Sequence, residues 1–107
     1  MAFAEAQKEV DDWAQTLAEP YWPPLSQFTR LAEEVGEVGR ELNARFGSKP
    51  KKTTDSSEDM LGEELADAIF AIVCIANAQK IDLDQAFQQV MQKCYGRDKD
   101  RFAKKAA

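Results

Sequence analysis

The sequence has 107 residues, enough for one small domain with a modest core, and we expect residues 1–107 to form that single domain. Its formal net charge of −5 argues against a nucleic-acid polymer as partner, since such binding needs a basic surface. The absence of histidine excludes histidine-based zinc sites and the serine or cysteine catalysis that needs a histidine base. Acid–base chemistry near neutral pH must therefore come from carboxylates, lysine or metal-bound water.

The cysteines and the apolar runs indicate the compartment. Cys74 and Cys94 lie in apolar contexts without a CxxC spacing, which favours buried structural thiols. The chain does not begin like a signal peptide, and its longest apolar run, residues 68–76, is about half the length of a membrane span. We therefore expect a reduced, cytoplasmic protein without a membrane partner.

The first two helices are predicted from apolar residues that recur at intervals of three and four. The first covers residues 1–19 and is stopped by the proline-rich aromatic connector 20–24. The second begins near Pro24 or Leu25, because proline is well tolerated in a first turn. It ends near Gly47, which serves as a C-terminal glycine stop.

A polar loop and a third helix follow. The loop, residues 48–57, contains three lysines, at positions 49, 51 and 52. It is either a solvated segment or a flap that meets phosphate groups through Lys49, Lys51 and Lys52. The third helix covers about residues 58–79, with Asp55, Ser56 or Ser57 as N-cap. Its second half, residues 68–76, is apolar on every side, and so short a chain can hardly cover it alone. We therefore expect subunits to associate through this helix, as a dimer at least.

The fourth helix is predicted to begin after Asp82, which forms a capping box with Gln85. The chain turns basic after Gly96. If the helix continues there, three basic side chains spaced by four project from one side: Lys93, Arg97 and Arg101. No strand-like alternation occurs anywhere, so the predicted fold class is all-α.

Two acidic clusters carry the candidate chemistry. Each cluster contains two carboxylates three residues apart, which share one side of a helix: Glu34 with Glu37, and Glu64 with Asp67. Two helices joined by a loop favour antiparallel packing, which would bring the four carboxylates together. Converged carboxylates repel one another unless a hard cation such as Mg²⁺ or Mn²⁺ is present. The alternative is that both clusters are ordinary solvated helix faces.

These clusters carry a resemblance to a known family. Residues 31–38, LAEEVGEV, followed by residues 64–70, ELADAIF, resemble the EExxE…ExxD pattern of the MazG-like nucleotide pyrophosphohydrolases, an all-α family. The resemblance extends from about Pro24 to Phe102. It includes the Lys-Pro-Lys-Lys loop and the basic tail that begins at Lys93, both similar to those of short, single-domain members.

The resemblance implies a four-helix bundle that is completed by oligomerisation, as a homodimer or homotetramer. It also implies Mg²⁺-dependent (or Mn²⁺-dependent) hydrolysis of nucleoside triphosphates to monophosphate and pyrophosphate, with a role in cleaning the nucleotide pool. By position, the metal ligands would be Glu34, Glu37, Glu64 and Asp67. Glu33 or Glu63 would orient or deprotonate the attacking water.

Further residues are candidates for binding the substrate. The remaining phosphate charge needs basic groups, for which the candidates are Lys93, Arg97 and Arg101, then Lys49, Lys51 and Lys52. Asn77 is either a helix-end residue that bonds nearby backbone or a polar contact to the nucleotide, as the resemblance suggests. The aromatic residues available for stacking on the base are Trp13, Tyr21, Trp22 and Phe28. Trp13 has the spacing of a core residue, so Trp22, in the proline-bounded connector, is the better candidate. The competing functions are a phosphoribosyl-ATP pyrophosphohydrolase and a non-catalytic helical assembly module.

Overall fold

The structure is a computed structural model that describes residues 2–47 and 59–106. Within those two ranges the chain forms four α-helices and no strand: α1 (Ala2–Ala14), α2 (Pro24–Phe46), α3 (Leu61–Ala78) and α4 (Leu83–Tyr95). The all-α prediction is confirmed. None of these helices is both long enough and apolar enough to cross a bilayer.

Two predicted helix starts are confirmed by the local geometry. α2 begins at Pro24, whose missing amide hydrogen costs nothing in a first turn. At the start of α4 the Oδ1 of Asp82 accepts a hydrogen bond from the amide of Gln85 at 3.1 Å. That bond satisfies one of the backbone donors that a helix leaves unpaired at its N-terminus.

Two predicted boundaries differ from the structure. α1 ends at Ala14 instead of residue 19, because local bonds replace the α-helical pattern. The Thr16 amide and hydroxyl both donate to the carbonyl of Trp13, at 3.0 and 2.6 Å. α3 begins at Leu61 instead of near residue 58, and the N-caps proposed for it lie outside the described residues.

The possible extension of α4 does not occur. The helix ends at Tyr95, and the amide of Asp98 donates to the carbonyl of Lys93 at 2.8 Å in a tight turn. Arg97 and Arg101 both turn towards the Asp98 carboxylate, at 3.1 and 3.9 Å. The expected helical row of three basic side chains is therefore wrong.

α2 and α3 are antiparallel and form the most extensive helix pair. Near the start of α2, Gln27 Nε2 donates to the carbonyl of Cys74, late in α3, at 3.2 Å. At the other end, Arg45 of α2 forms an ion pair with Asp59, just before α3. These two contacts place the middle of α2 beside the first turns of α3, where the acidic clusters lie.

α1 packs against α3 and α4. The Phe3 and Phe87 rings lie 5.3 Å apart between their centroids, and the Ala4 amide donates to Asp84 at 3.0 Å. α4 thus packs on α1.

The core within one chain is small. Among the described residues its fully buried apolar side chains are Ala14, Ala71, Val73 and Ala76. Ile69 of α3 is 53% exposed, and Ile72 and Leu65 are also exposed. The radius of gyration is 17.5 Å, against about 13 Å for a compact domain of this length. One chain therefore does not bury the apolar surface that its helices carry.

Candidate metal centre

Three carboxylates converge between α2 and α3. Glu34, Glu64 and Asp67 each offer an oxygen atom, and these atoms lie within 4.8 Å of one another. Glu64 and Asp67 share a side of α3 because they are three residues apart. Antiparallel packing then places Glu34 of α2 opposite them.

Negative charge accumulates at Glu64. Burial raises the pKa of its carboxyl group, and the charges of Asp67, Glu37 and Glu34 raise it further. Arg40 opposes these effects but does not cancel them. The direction of this shift means that the ionised cluster is electrostatically unfavourable without a cation.

The fourth predicted ligand, Glu37, lies beside this group of three. It contributes negative charge at Glu64, but its own Oε2 forms an ion pair with Arg40 Nη2 at 3.0 Å. On the other side of the site, Arg30 Nε lies 3.9 Å from Glu34 Oε1. Two arginines of α2 therefore face two glutamates of the same helix.

The candidate bases lie at the edge of the site. Glu33 is exposed and lines a depression of about 380 Å³ together with Glu34, Arg30 and Trp22. Glu63 is exposed in the first turn of α3, next to Glu64. Both carboxylates are therefore open to solvent beside the converged group.

Trp22 and Arg30 form a wall next to the carboxylates. The Arg30 guanidinium lies 5.6 Å from the Trp22 ring centroid and 5.3 Å from that of Phe70. The sequence analysis singled out Trp22 but missed Arg30. Arg30 precedes Glu34 by four residues, a spacing that could have indicated an ion pair on one side of α2.

Asn77 belongs to a polar network at the other end of α3. Its Oδ1 accepts from Gln7 Nε2 at 3.0 Å, and its Nδ2 donates to the Gln7 carbonyl at 3.0 Å and to the Tyr21 hydroxyl at 3.1 Å. Tyr21 in turn donates to Asp11 at 2.5 Å. Burial and this bond to Asp11 raise the pKa of Tyr21 to about 12. The network joins α1 to α3, about 15 Å along the helix from Asp67.

The three predicted basic residues that the structure describes are not brought to the carboxylates of their own chain. Lys93 is exposed on α4, which lies on α1, and Arg97 and Arg101 pair with Asp98. The three loop lysines, Lys49, Lys51 and Lys52, lie outside the described residues.

The donor set fits a hard divalent cation. All three converged groups supply carboxylate oxygens, which Mg²⁺ and Mn²⁺ prefer over nitrogen or sulfur. Three ligands also leave positions open for water and phosphate oxygens, which Mg²⁺ usually retains.

Comparison with known proteins then identifies the family. The profile of the MazG nucleotide pyrophosphohydrolase domain matches residues 23–102, which include the whole carboxylate site. The chain belongs to this family. The whole of α1, residues 2–14, lies outside the matched part of this MazG domain.

Relatives of this MazG protein share both sequence and fold. It is 45% identical over 101 residues to YpjD of Bacillus subtilis strain 168, covering 94% of this chain and 90% of YpjD. The crystal structure of YpjD superimposes with a TM-score of 0.77 at 41% identity, over 87% of this chain and 94% of that one. A second crystal structure is that of a MazG protein conserved in Bacillus and described as a nucleotide pyrophosphohydrolase. It superimposes with a TM-score of 0.77 at 39% identity, over 94% of this chain and 96% of that one.

Proposed function

We propose that this MazG domain is a metal-dependent pyrophosphohydrolase that converts (d)NTP and water to (d)NMP and pyrophosphate. The observation that carries the proposal is the convergence of Glu34, Glu64 and Asp67 between two helices of a nucleotide pyrophosphohydrolase fold. A triphosphate brings several negative charges, and three carboxylates can hold the cation that neutralises them.

The cofactor in this proposal is Mg²⁺, with Mn²⁺ as a substitute. Its ligands are Glu34, Glu64 and Asp67, and Glu37 joins them by leaving Arg40. The bound cation supplies charge neutralisation for the triphosphate and a more acidic water. The raised pKa of Glu64 supports the assignment, because the charges of Asp67, Glu37 and Glu34 add to the effect of burial.

The chain's own residues then act on the attacking water. Glu33 and Glu63 are both solvent-accessible, and one of them accepts a proton from the water while the water oxygen attacks the α-phosphorus. The bond between the α-phosphorus and the bridging oxygen breaks, and that oxygen leaves with pyrophosphate. The chemistry needs no histidine, in agreement with the composition.

Substrate contacts in this proposal come from several segments. Trp22 stacks on the base, since it borders the same depression as Glu34. Lys93, Arg97, Arg101, Lys49 and Lys52 meet phosphate oxygens, and Asn77 makes a polar contact. Because α4 lies on α1, contacts from its end would be made across subunits.

We further propose that residues 1–107 act as one domain that assembles into a homodimer or homotetramer. The exposed apolar side chains of α3 and the large radius of gyration support self-association. The free thiols of Cys74 and Cys94 and the nucleotide substrate suit a reducing cytoplasm, where the enzyme would clean the nucleotide pool.

The test is product analysis on a panel of dNTPs, NTPs and phosphoribosyl-ATP, with Mg²⁺ and with EDTA. Metal-dependent release of monophosphate and pyrophosphate is the expected result. Preference for phosphoribosyl-ATP would identify the alternative enzyme, and release of phosphate with a diphosphate would contradict the proposed bond cleavage. No turnover, together with no Mg²⁺-induced rise in melting temperature, would favour a non-catalytic helical assembly.

A further inference from the structure

Arg30 lies against two aromatic rings at the edge of the carboxylate site. Its guanidinium carbon is 5.6 Å from the centroid of the Trp22 ring and 5.3 Å from that of Phe70. Trp22 belongs to the connector before α2 and Phe70 belongs to α3, so two separate segments hold the guanidinium. Arginine stacks well on aromatic faces, and two such contacts restrict its movement. The positive charge of Arg30 is therefore positioned before any ligand arrives.

The hydrogen-bond donors of Arg30 are available to a ligand. A guanidinium carries five N–H donors and keeps its charge in proteins. The Nε atom lies 3.9 Å from Glu34 Oε1, which is beyond hydrogen-bond distance. Within residues 2–47 and 59–106, no group accepts a hydrogen bond from Arg30. Its side chain is 39% exposed, so an anion that accepts two parallel hydrogen bonds, as a phosphate does, can reach it.

Arg30 lies between the candidate for base stacking and the carboxylates. It lines the depression of about 380 Å³ that also contains Trp22, Glu33 and Glu34. In a nucleoside triphosphate the α-phosphate is the link between the nucleoside and the pyrophosphate. With the base on Trp22 and the other phosphates towards Glu34, the group that comes next to Arg30 is the α-phosphate.

We propose that Arg30 is a catalytic residue that donates hydrogen bonds to the non-bridging oxygens of the α-phosphate. This inference rests on the proposed function, because it takes that substrate and that reaction. The water oxygen forms a bond to the α-phosphorus, the bond to the bridging oxygen breaks, and that oxygen leaves with pyrophosphate. The proton of the water goes to Glu33 or Glu63. The guanidinium stabilises the charge that the non-bridging oxygens carry during this exchange.

The contact predicts which product depends on Arg30. The α-phosphate remains on the monophosphate after cleavage, and pyrophosphate does not contain it. Arg30→Gln should therefore weaken inhibition by the monophosphate about ten- to a hundredfold, as expected for the loss of a hydrogen bond to a charged group. Inhibition by pyrophosphate should stay nearly unchanged. The kcat should fall by about tenfold or more, because a contact that strengthens in the transition state raises kcat.

The kinetic test uses the triphosphate that is hydrolysed fastest, its own monophosphate and pyrophosphate. It compares the wild type, Arg30→Gln, Arg30→Lys and the control Arg45→Gln. Arg45 is a matched arginine of α2, since it pairs with Asp59 and its guanidinium carbon lies 5.7 Å from the Phe46 ring centroid. It follows Glu34 by eleven residues, about 16 Å along the helix, so its variant should keep the wild-type constants.

The two variants of Arg30 should differ in degree. Arg30→Lys keeps the charge but loses the planar fork, so its affinity for the monophosphate should lie between those of the wild type and Arg30→Gln. A structural role would disturb the binding of both products alike. Equal losses for monophosphate and pyrophosphate, or an unchanged kcat in Arg30→Gln, would overturn the assignment and leave the hydrolase function intact.

A binding measurement separates this inference from the function on which it rests. Calorimetry in Mg²⁺ compares the four deoxynucleoside monophosphates with the corresponding nucleosides, so it needs no turnover. Wild-type protein should bind at least one monophosphate about tenfold or more tightly than its nucleoside, and Arg30→Gln should lose most of that preference. If no triphosphate is hydrolysed but this pattern is found, the proposed function fails and the phosphate contact of Arg30 stands.

A crystal structure of the wild type with Mg²⁺ and the monophosphate completes the test. It should place phosphate oxygens about 2.7–2.9 Å from the guanidinium nitrogens of Arg30. A phosphate bound out of contact with Arg30 would refute the inference even if the Arg30 variants do not fold.

Discussion

Neutralising Glu64 should stabilise the metal-free protein while it destroys the metal site. The oxygens of Glu34, Glu64 and Asp67 lie within 4.8 Å of one another. At that distance two unit charges repel by about 0.9 kcal/mol in water. Glu64→Gln removes the repulsions of Glu64 with Glu34 and Asp67, worth ~1–2 kcal/mol, which corresponds to a rise in melting temperature of about 5–10 °C for a chain of this size.

The same substitution should abolish the response to Mg²⁺. A cation present at a hundredfold its Kd stabilises the folded state by about 2.7 kcal/mol, so the wild-type melting temperature rises. The melting temperature of the Glu64→Gln variant should rise little on addition of Mg²⁺. Its kcat/KM should fall by more than about a hundredfold, because loss of a group that merely supports a metal ligand already lowers metal affinity or activity by about 10–100-fold.

The assay is thermal unfolding at pH 8 and one fixed protein concentration, in EDTA and in millimolar Mg²⁺. Glu9→Gln is the control, because Glu9 is exposed on α1, away from the carboxylate site. A variant that is less stable than the wild type in EDTA would refute the repulsion argument. An unchanged Mg²⁺ shift would show that Glu64 is not a ligand.

Three further predictions concern pH, the polar network and assembly. In EDTA, the contribution of Glu64 to stability should fall as pH rises from about 4.5 through its raised pKa, because the folded state holds this proton more tightly than the unfolded state. The difference in melting temperature between the wild type and Glu64→Gln across pH 4–8 measures this contribution, and a difference that is constant with pH would contradict it. Asn77→Ala should lower the free energy of unfolding by about 1–3 kcal/mol in urea, since it removes the three hydrogen bonds that Asn77 makes with Gln7 and Tyr21, and a loss below about 0.5 kcal/mol would argue against the network. Ile69→Lys should reduce the mass measured by sedimentation to that of one chain, since Ile69 is 53% exposed in the apolar stripe of α3, whereas an unchanged mass would place the interface elsewhere.

Local patterns predicted the parts of the structure that depend on local geometry. Residues three apart share a side of a helix whatever surrounds it, so the pair Glu64 and Asp67 could be found by spacing alone. The starts of α2 at Pro24 and of α4 at Asp82 likewise depend on the chemistry of one turn.

Tertiary contacts decided what spacing could not. Asn77 bonds to Gln7, seventy residues away, and no local pattern indicates that partner. Gln27 resembles any other glutamine in the sequence, and only its position against Cys74 makes it a buried group with an unpaired acceptor. The end of α1 was also mispredicted. The apolar spacing favoured a helix up to residue 19, but the two hydrogen bonds from Thr16 to the Trp13 carbonyl end α1 earlier.

The two arginines beside the carboxylates affect how the site takes up its cation. Arg30 faces Glu34 and Arg40 pairs with Glu37, so part of the negative charge is already balanced by groups of the same helix. In the proposed site a free cation must compete with both guanidinium groups, so Mg²⁺ should bind the protein alone less tightly than it binds the complex with a nucleotide. A nucleotide that arrives with its cation offers the arginines phosphate oxygens in exchange. The sequence of α2 thus predicts that nucleotide and Mg²⁺ each strengthen the binding of the other.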